Sequence, residues 1–133
     1  MEQTIAAIST PVGQGAVALL RMSGEDSVDI AEKVFRSGRG SVTGLPPRVQ
    51  VLGEVVDTDG IRIDQVLLTV FRAPASYTGE DTVEISSHGG ILVAAAVLEA
   101  LVAAGARPAE PGEFTKRAFI NGKMDLTQAE AVM

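Results

Sequence analysis

The sequence predicts an α+β domain, a mixed sheet of about five strands with helices packed on it, and three observations lead there. Two β-rich runs, residues 48–57 and 62–71, flank Thr58-Asp59-Gly60, and Asp-Gly between such runs favours a hairpin. Residues 82–87 alternate, with Val83 and Ile85 on one side of a strand and Glu84 on the other. Residues 91–104 form an aliphatic run of helical length that Gly105 can end. At 133 residues the chain fits one ordinary domain, able to bury about two thirds of its unfolded surface.

The remaining elements follow in chain order. Thr4 to Ile8 reads as a short strand, then comes a turn-rich stretch, then Ala16 to Met22 as a largely apolar strand ending at Arg21. Ser23 with Asp26 three residues on suggests a helix start, and Val28, Ala31, Val34 and Phe35 recur at helical spacing, so a first helix is expected from about Gly24 to Phe35. Residues 36–47 form a loop before the hairpin, whose two strands are expected to be the longest. Residues 72–82 form a polar loop whose Pro and Gly resist regular structure. His88-Gly89-Gly90 turns the chain into the long helix, in which only Glu99 interrupts the apolar surface, so burial on most sides against the sheet is expected. After Pro108 and Pro111, Glu113 to Asn121 forms a short helix stopped by Asn121-Gly122. Thr127 with Glu130 suggests a capping box for a last helix. Because so short a helix is marginal in water, the chain is expected to be part of something longer, cut just inside a helical region.

Composition narrows the functions. The apolar content of 46% is mostly aliphatic, with one Tyr, four Phe and no Trp, so a flat ligand must be held mainly by hydrogen bonds and aliphatic walls. A formal charge of −6 disfavours this segment as an independent grip on nucleic acid, since counterion release needs clustered Lys and Arg. Cysteine is absent, which excludes disulfides, thiolate nucleophiles and cysteine metal sites within these residues. The N-terminus has no secretory pattern, and no run approaches the roughly 18 apolar residues of a membrane helix, so a soluble, cytoplasmic protein is expected.

Familiar chemistries are set aside by context. Gly13-Gln14-Gly15-Ala16-Val17-Ala18 matches GxGxxA, but a dinucleotide site needs a helix directly after it and a strand is expected there. Gly122-Lys123 is followed by Met124 and lacks the glycine five residues earlier, so no phosphate-binding loop exists. His88 is the single histidine and no GxSxG accompanies it. What remains is an acidic loop-strand-turn, residues 76–90, and a basic stretch, residues 111–130, which a fold can bring to one polar pocket. No catalytic residue and no metal ligand is assigned.

Three segments, TPVGQGAVALLRMSG, SYTGEDTVEISSHGG and RPAEPGEFTKRAFINGKMDLTQAEAV, together resemble the N-terminal domain of the tRNA-modification GTPase family MnmE/TrmE, in the right order and over nearly the whole chain. The resemblance implies a fold similar to the folate-binding domain of aminomethyltransferase and sarcosine oxidase proteins. It implies a domain spanning residues 1–122 that binds a one-carbon tetrahydrofolate, formyl- or methylene-tetrahydrofolate, and makes a homodimer contact, with residues 123–133 opening a helical domain. It also implies a full-length GTP hydrolase that uses GTP, magnesium and potassium at sites absent here. That enzyme would act with the flavoprotein MnmG on the wobble uridine of tRNA. The family's folate contacts fall on Arg21, Glu84 and Lys123, while its C-terminal lysine and cysteine and its GTPase domain have no counterpart in this chain, so the segment alone is not expected to catalyse.

The chemistry of those positions agrees. A reduced pterin presents a ring N–H beside an exocyclic amine, two parallel donors that the Glu84 carboxylate can accept together. The alternative is a solvated strand glutamate. Arg21 suits a ligand carbonyl or carboxylate because its guanidinium donates in pairs; the alternative is a structural salt bridge, for instance to Glu80 or Asp81. Lys123 can meet the benzoyl-glutamate tail or the one-carbon substituent, or simply be solvated. Tyr77 and Phe114 are the aromatics best placed to stack on a pterin, against ordinary packing. The His88-Gly89-Gly90 turn offers N–H groups to an anion, or only lets the helix pack closely. Lys116 and Arg117 are expected on an exposed face or against another domain. A different class of function stands beside folate binding: a dimerisation and scaffold module whose polar motifs serve contacts between domains.

Overall fold

The computed structural model describes residues 3–9, 17–88 and 90–132, so residues 13–16 of the GxGxxA stretch and the middle glycine of the His88 turn lie outside it. The fold is α+β. One sheet of seven strands runs in the order β3-β4-β5-β6-β2-β1-β7: β1 is Ile5–Ile8, β2 Ala18–Ser23, β3 Phe35–Arg36, β4 Val51–Val56, β5 Arg62–Phe71, β6 Thr82–Ser87 and β7 Arg107–Pro108. Every neighbouring pair is antiparallel except β1 with β7, which makes the sheet mixed. The expected number of strands was about five. The two additional strands, β3 and β7, are two residues long and lie at the edges; nothing in so short a span alternates, and pairing with a neighbour alone defines them.

Local chemistry explains most elements. In the β4–β5 hairpin the Asp57 carboxylate accepts from the N–H groups of Asp59 and Ile61, both at 2.9 Å, which closes the turn before a ten-residue strand. Helix α1, Ser27–Val34, starts later than the sequence suggests, and Ser23 does not cap it. Ser23 instead ends β2, fully buried, with its hydroxyl on Thr78 Oγ1 and Glu80 Oε1, both at 2.7 Å. Helix α2, Gly90–Ala103, ends as Gly105 turns at φ +129° and the Ala106 N–H reaches back to the Leu101 carbonyl at 3.0 Å. Helix α3, Glu113–Ile120, stops at Asn121-Gly122 as expected. For α4, Leu126–Val132, the capping box lies two residues earlier than Thr127: Asp125 Oδ1 accepts from the Gln128 N–H and Gln128 Oε1 from the Asp125 N–H, both at 2.8 Å.

Both α1 and α2 cover the same face of the sheet. Val28, Ile30, Ala31 and Val34 of α1 and Val97, Ala100 and Leu101 of α2 join Ala6, Leu20, Met22, Val55, Val66, Leu68, Val70, Val83 and Ile85 in one aliphatic core. The long helix is not buried on most sides, however. Its core stripe is Ala94, Val97, Ala100 and Leu101, while Ile91 and Leu92 are 60% and 83% exposed. A helix lying on one sheet face can bury only one stripe, so an all-round apolar sequence leaves the outer side uncovered. No helix of the described residues is long and apolar enough to cross a membrane.

Candidate functional site

Alternation sends the odd partners of the core strands to the opposite, largely open face. There the register aligns Ala7, Arg21, Glu84 and Thr69 in one row across β1, β2, β6 and β5. Arg21 and Glu84 are therefore neighbours although 63 residues separate them: Arg21 Nε and Nη2 both donate to Glu84 Oε2, at 3.1 and 3.0 Å. Both contacts fall on one oxygen, and Oε1 has no partner among the described residues. The side chains keep 21% and 23% of their surface open, so the pair adds about 1 kcal/mol or less to stability. The guanidinium of Arg21 sits over the rings of Tyr77, at 4.9 Å, and Phe114, at 5.9 Å. Arg21 thus forms a salt bridge, as its alternative reading had it, but with Glu84, whereas Glu80 pairs with Arg117 and Asp81 with Arg72.

Tyr77 comes from the loop between β5 and β6, and Phe114 from α3; the two are tied together by the Tyr77 hydroxyl and Thr115 Oγ1 at 2.9 Å. The loop is strapped at several points. Asp81 Oδ1 accepts from the Ala73 N–H at 2.8 Å, Asn121 Nδ2 donates to the Thr78 carbonyl at 2.8 Å, and Lys123 Nζ donates to the Pro74 carbonyl at 3.0 Å. Gly79, at φ +84°, lets the loop approach this closely; a Cβ there would lie 3.0 Å from that of Asn121 and 3.3 Å from Cγ of Lys123. Thus two of the three expected ligand residues meet directly. Lys123 lies on the outside of the loop, bracing it, and lines neither cavity beside the pair.

Those cavities lie on either side of Tyr77. One of about 460 Å³ is bounded by Arg21, Tyr77, Phe114, Thr115 and the 109–112 segment, and another of about 410 Å³ by Arg48, Phe71, Ser76, Tyr77, Thr82 and Glu84. Both fall within the usual size range of small-molecule sites. A larger cavity of about 780 Å³ between α2 and the hairpin tip is lined mainly by Ala, Ile, Leu and Val side chains, with Asp57 and Glu99 as its only charged groups, and offers less with which to orient a polar ligand. Among the described residues no three His, Asp or Glu side chains gather closely enough to hold a metal ion.

Arg117, expected on an exposed face or against another domain, is only 4% exposed and is buried within this one. It donates to Glu80 Oε1 at 3.1 Å, to the Gln3 carbonyl at 2.6 Å and to the Ser23 carbonyl at 3.4 Å, so one cation joins α3, the loop and the first two strands. Burying a guanidinium requires such pairing. Beside it Glu113 bonds Arg107, Nη1 to Oε1 at 3.1 Å, and this bond holds the Glu113 carboxyl below its ordinary value of 4.5. Sequence reasoning missed Arg117 and Glu80; the one available signal was the place of Arg117 one helical turn after Glu113, on the side of α3 that a sheet would cover.

The domain is α+β, with an acid, a cation and two aromatics converging on the open face of its sheet. The chain belongs to the family described as the GTP-binding protein TrmE N-terminus, whose model matches residues 4–123. It is 56% identical over 131 residues to the tRNA modification GTPase MnmE of Enterococcus faecalis, covering 98% of this chain and 28% of that protein. The MnmE proteins of Caldicellulosiruptor saccharolyticus, 53% identical over 98% of the chain, and Akkermansia muciniphila, 57% identical over 99%, are similar. The chain spans 29% of the length of each of these two.

Proposed function

We propose that this chain is the part of a cytoplasmic tRNA modification GTPase that binds a one-carbon tetrahydrofolate and joins two copies of the enzyme. The observation that supports folate binding most directly is the Arg21–Glu84 pair beneath Tyr77. Glu84 has Oε1 free among the described residues and gives Oε2 to Arg21, so its carboxylate would accept the paired donors of a reduced pterin on both oxygens as Arg21 yields Oε2 and turns to a ligand carbonyl, while Tyr77 and Phe114 supply the ring faces. The bound folate would supply a one-carbon unit; Arg21, Glu84 and the aromatics would fix its orientation and exclude water around it. Lys123 would act on this site by holding the loop that presents Tyr77, or by releasing Pro74 to meet the ligand. Action on the wobble uridine, use of GTP with magnesium and potassium, and partnership with the flavoprotein MnmG belong to the same proposal, at the level of the whole enzyme.

The test is titration of the intact protein with 5-formyltetrahydrofolate by calorimetry. Arg21→Ala and Glu84→Ala are expected to weaken binding at least tenfold while the circular dichroism spectrum is kept. Unchanged affinity in both variants would sink the reading. A second reading, a dimerisation and scaffold module without folate binding of its own, is favoured by the exposed Ile91 and Leu92 of α2 and by Leu52 on the open sheet face, 57% exposed. It predicts no heat on titration and a mass in solution that shifts towards the monomer in Leu92→Glu.

A further inference from the structure

The cavity that contains Glu84 also contains Arg48, and the backbone of Arg48 is unusual. At φ 62° it is the only non-glycine residue among those described with a positive φ, a conformation that glycine or asparagine adopts at lower cost. It follows Pro46-Pro47 and is fixed where it stands, because its N–H donates to the Val70 carbonyl of β5 at 2.8 Å. Its guanidinium has no hydrogen-bond or ion-pair partner among the described residues. A strained backbone that presents an unpartnered cation into a cavity is not explained by packing or by a structural ion pair.

We propose that Arg48 binds the carboxylate-bearing end of the ligand whose donor-bearing end is held by Glu84. An acid, Glu84, and an exposed cation, Arg48, line one cavity together with Tyr77 and Phe71, so it complements a molecule that carries both hydrogen-bond donors and anionic groups. The inference rests on the folate reading and makes it more specific. The glutamate tail is assigned to Arg48 and not to Lys123, because Arg48 lines the cavity that contains Glu84 and Lys123 does not.

The test compares two probes on the intact protein: 5-formyltetrahydrofolate, and 6-methyltetrahydropterin, which has the ring donors but no carboxylate. Arg48→Gly relieves the backbone and removes the cation, so it is expected to fold at least as stably as the parent. It should bind 5-formyltetrahydrofolate roughly tenfold more weakly, with a flatter dependence on salt, and 6-methyltetrahydropterin unchanged. Arg48→Lys should recover part of the loss. If the parent binds 5-formyltetrahydrofolate and Arg48→Gly binds it as tightly, Arg48 is a solvated surface arginine and the inference fails alone. If the parent binds neither probe, the folate reading fails and the inference with it.

Discussion

On the helix-covered face of the sheet Leu20, Val83 and Ile85 are at most 1% exposed, whereas on the other face of the same two strands Arg21 and Glu84 keep about a fifth of their side chains open, 21% and 23%. The two sets alternate residue by residue along β2 and β6. One strand thus serves stability through one set of side chains and, in the function proposed above, would serve ligand chemistry through the other, a single step away in sequence. Apolar burial is non-directional and summed over many contacts, while the polar row depends on register: Arg21 faces Glu84 only because Leu20 faces Ile85. Substitutions at adjacent positions should therefore fail in different ways.

The largest expected effect is on the covered face. Ile85→Ala leaves a cavity under α2 and should lower the free energy of unfolding by about 3 kcal/mol, read from urea denaturation, with ligand affinity of the folded protein nearly unchanged. Its neighbour should do the reverse. Glu84→Gln keeps the shape but can satisfy only one of two parallel donors, so affinity for 5-formyltetrahydrofolate should fall by about 1.5 to 2 kcal/mol while stability moves by less than about 1. A loss of both properties in either variant would show that the faces are energetically coupled.

The same contrast decides what was legible in the sequence. Alternation in 82–87, the Asp-Gly hairpin and the glycine at 105 gave β6, β4 with β5, and the end of α2, because each rests on local geometry. The placement of Glu84 on the face away from Val83 and Ile85 followed from the same period of two. Its meeting with Arg21 did not, since strand register across 63 residues is a property of the assembled sheet. Ser23 illustrates the limit from the other side: its spacing to Asp26 looks like a helix cap, yet the buried hydroxyls of Thr78 and Thr82 and the Glu80 carboxylate compete for it. Arg117 was unreadable for a similar reason, because a cation is buried only when tertiary structure brings it several acceptors at once.

A second adjacent pair sharpens the comparison at the other end of the sheet. Gly53 of β4 lies on the covered face beneath the Phe35 ring, and a Cβ there would come within 2.6 Å of both the Arg36 carbonyl and Phe35 Cε1. Gly53→Ala should cost about 1 to 2 kcal/mol by forcing β3 away from β4. Leu52, on the open face, should tolerate alanine within about 0.5 kcal/mol in a monomer. A larger effect of Leu52→Ala that grows with protein concentration would mark this end of the open face as buried between copies.

The smallest effect concerns the ion pairs that hold α3 over the open face. The Glu113 carboxyl is lowered from 4.5, chiefly by its hydrogen bond to Arg107 and further by the charges of Arg107 and Arg117, against the opposing influence of burial. The unfolded chain therefore takes up a proton at Glu113 at a higher pH than the folded chain does. Its contribution to stability is complete above 4.5 and is lost as pH falls through the lower folded value, so stability should decline across that window. Glu113→Gln should make that decline shallower in thermal unfolding measured from neutral to acid pH, with little change in slope above it. Because Arg117 also touches Glu113, at 3.5 Å, the variant should loosen α3 and with it Phe114, so a modest loss of ligand affinity is expected even at neutral pH. A steep acid decline that survives in Glu113→Gln would show that this carboxyl is not the group responsible.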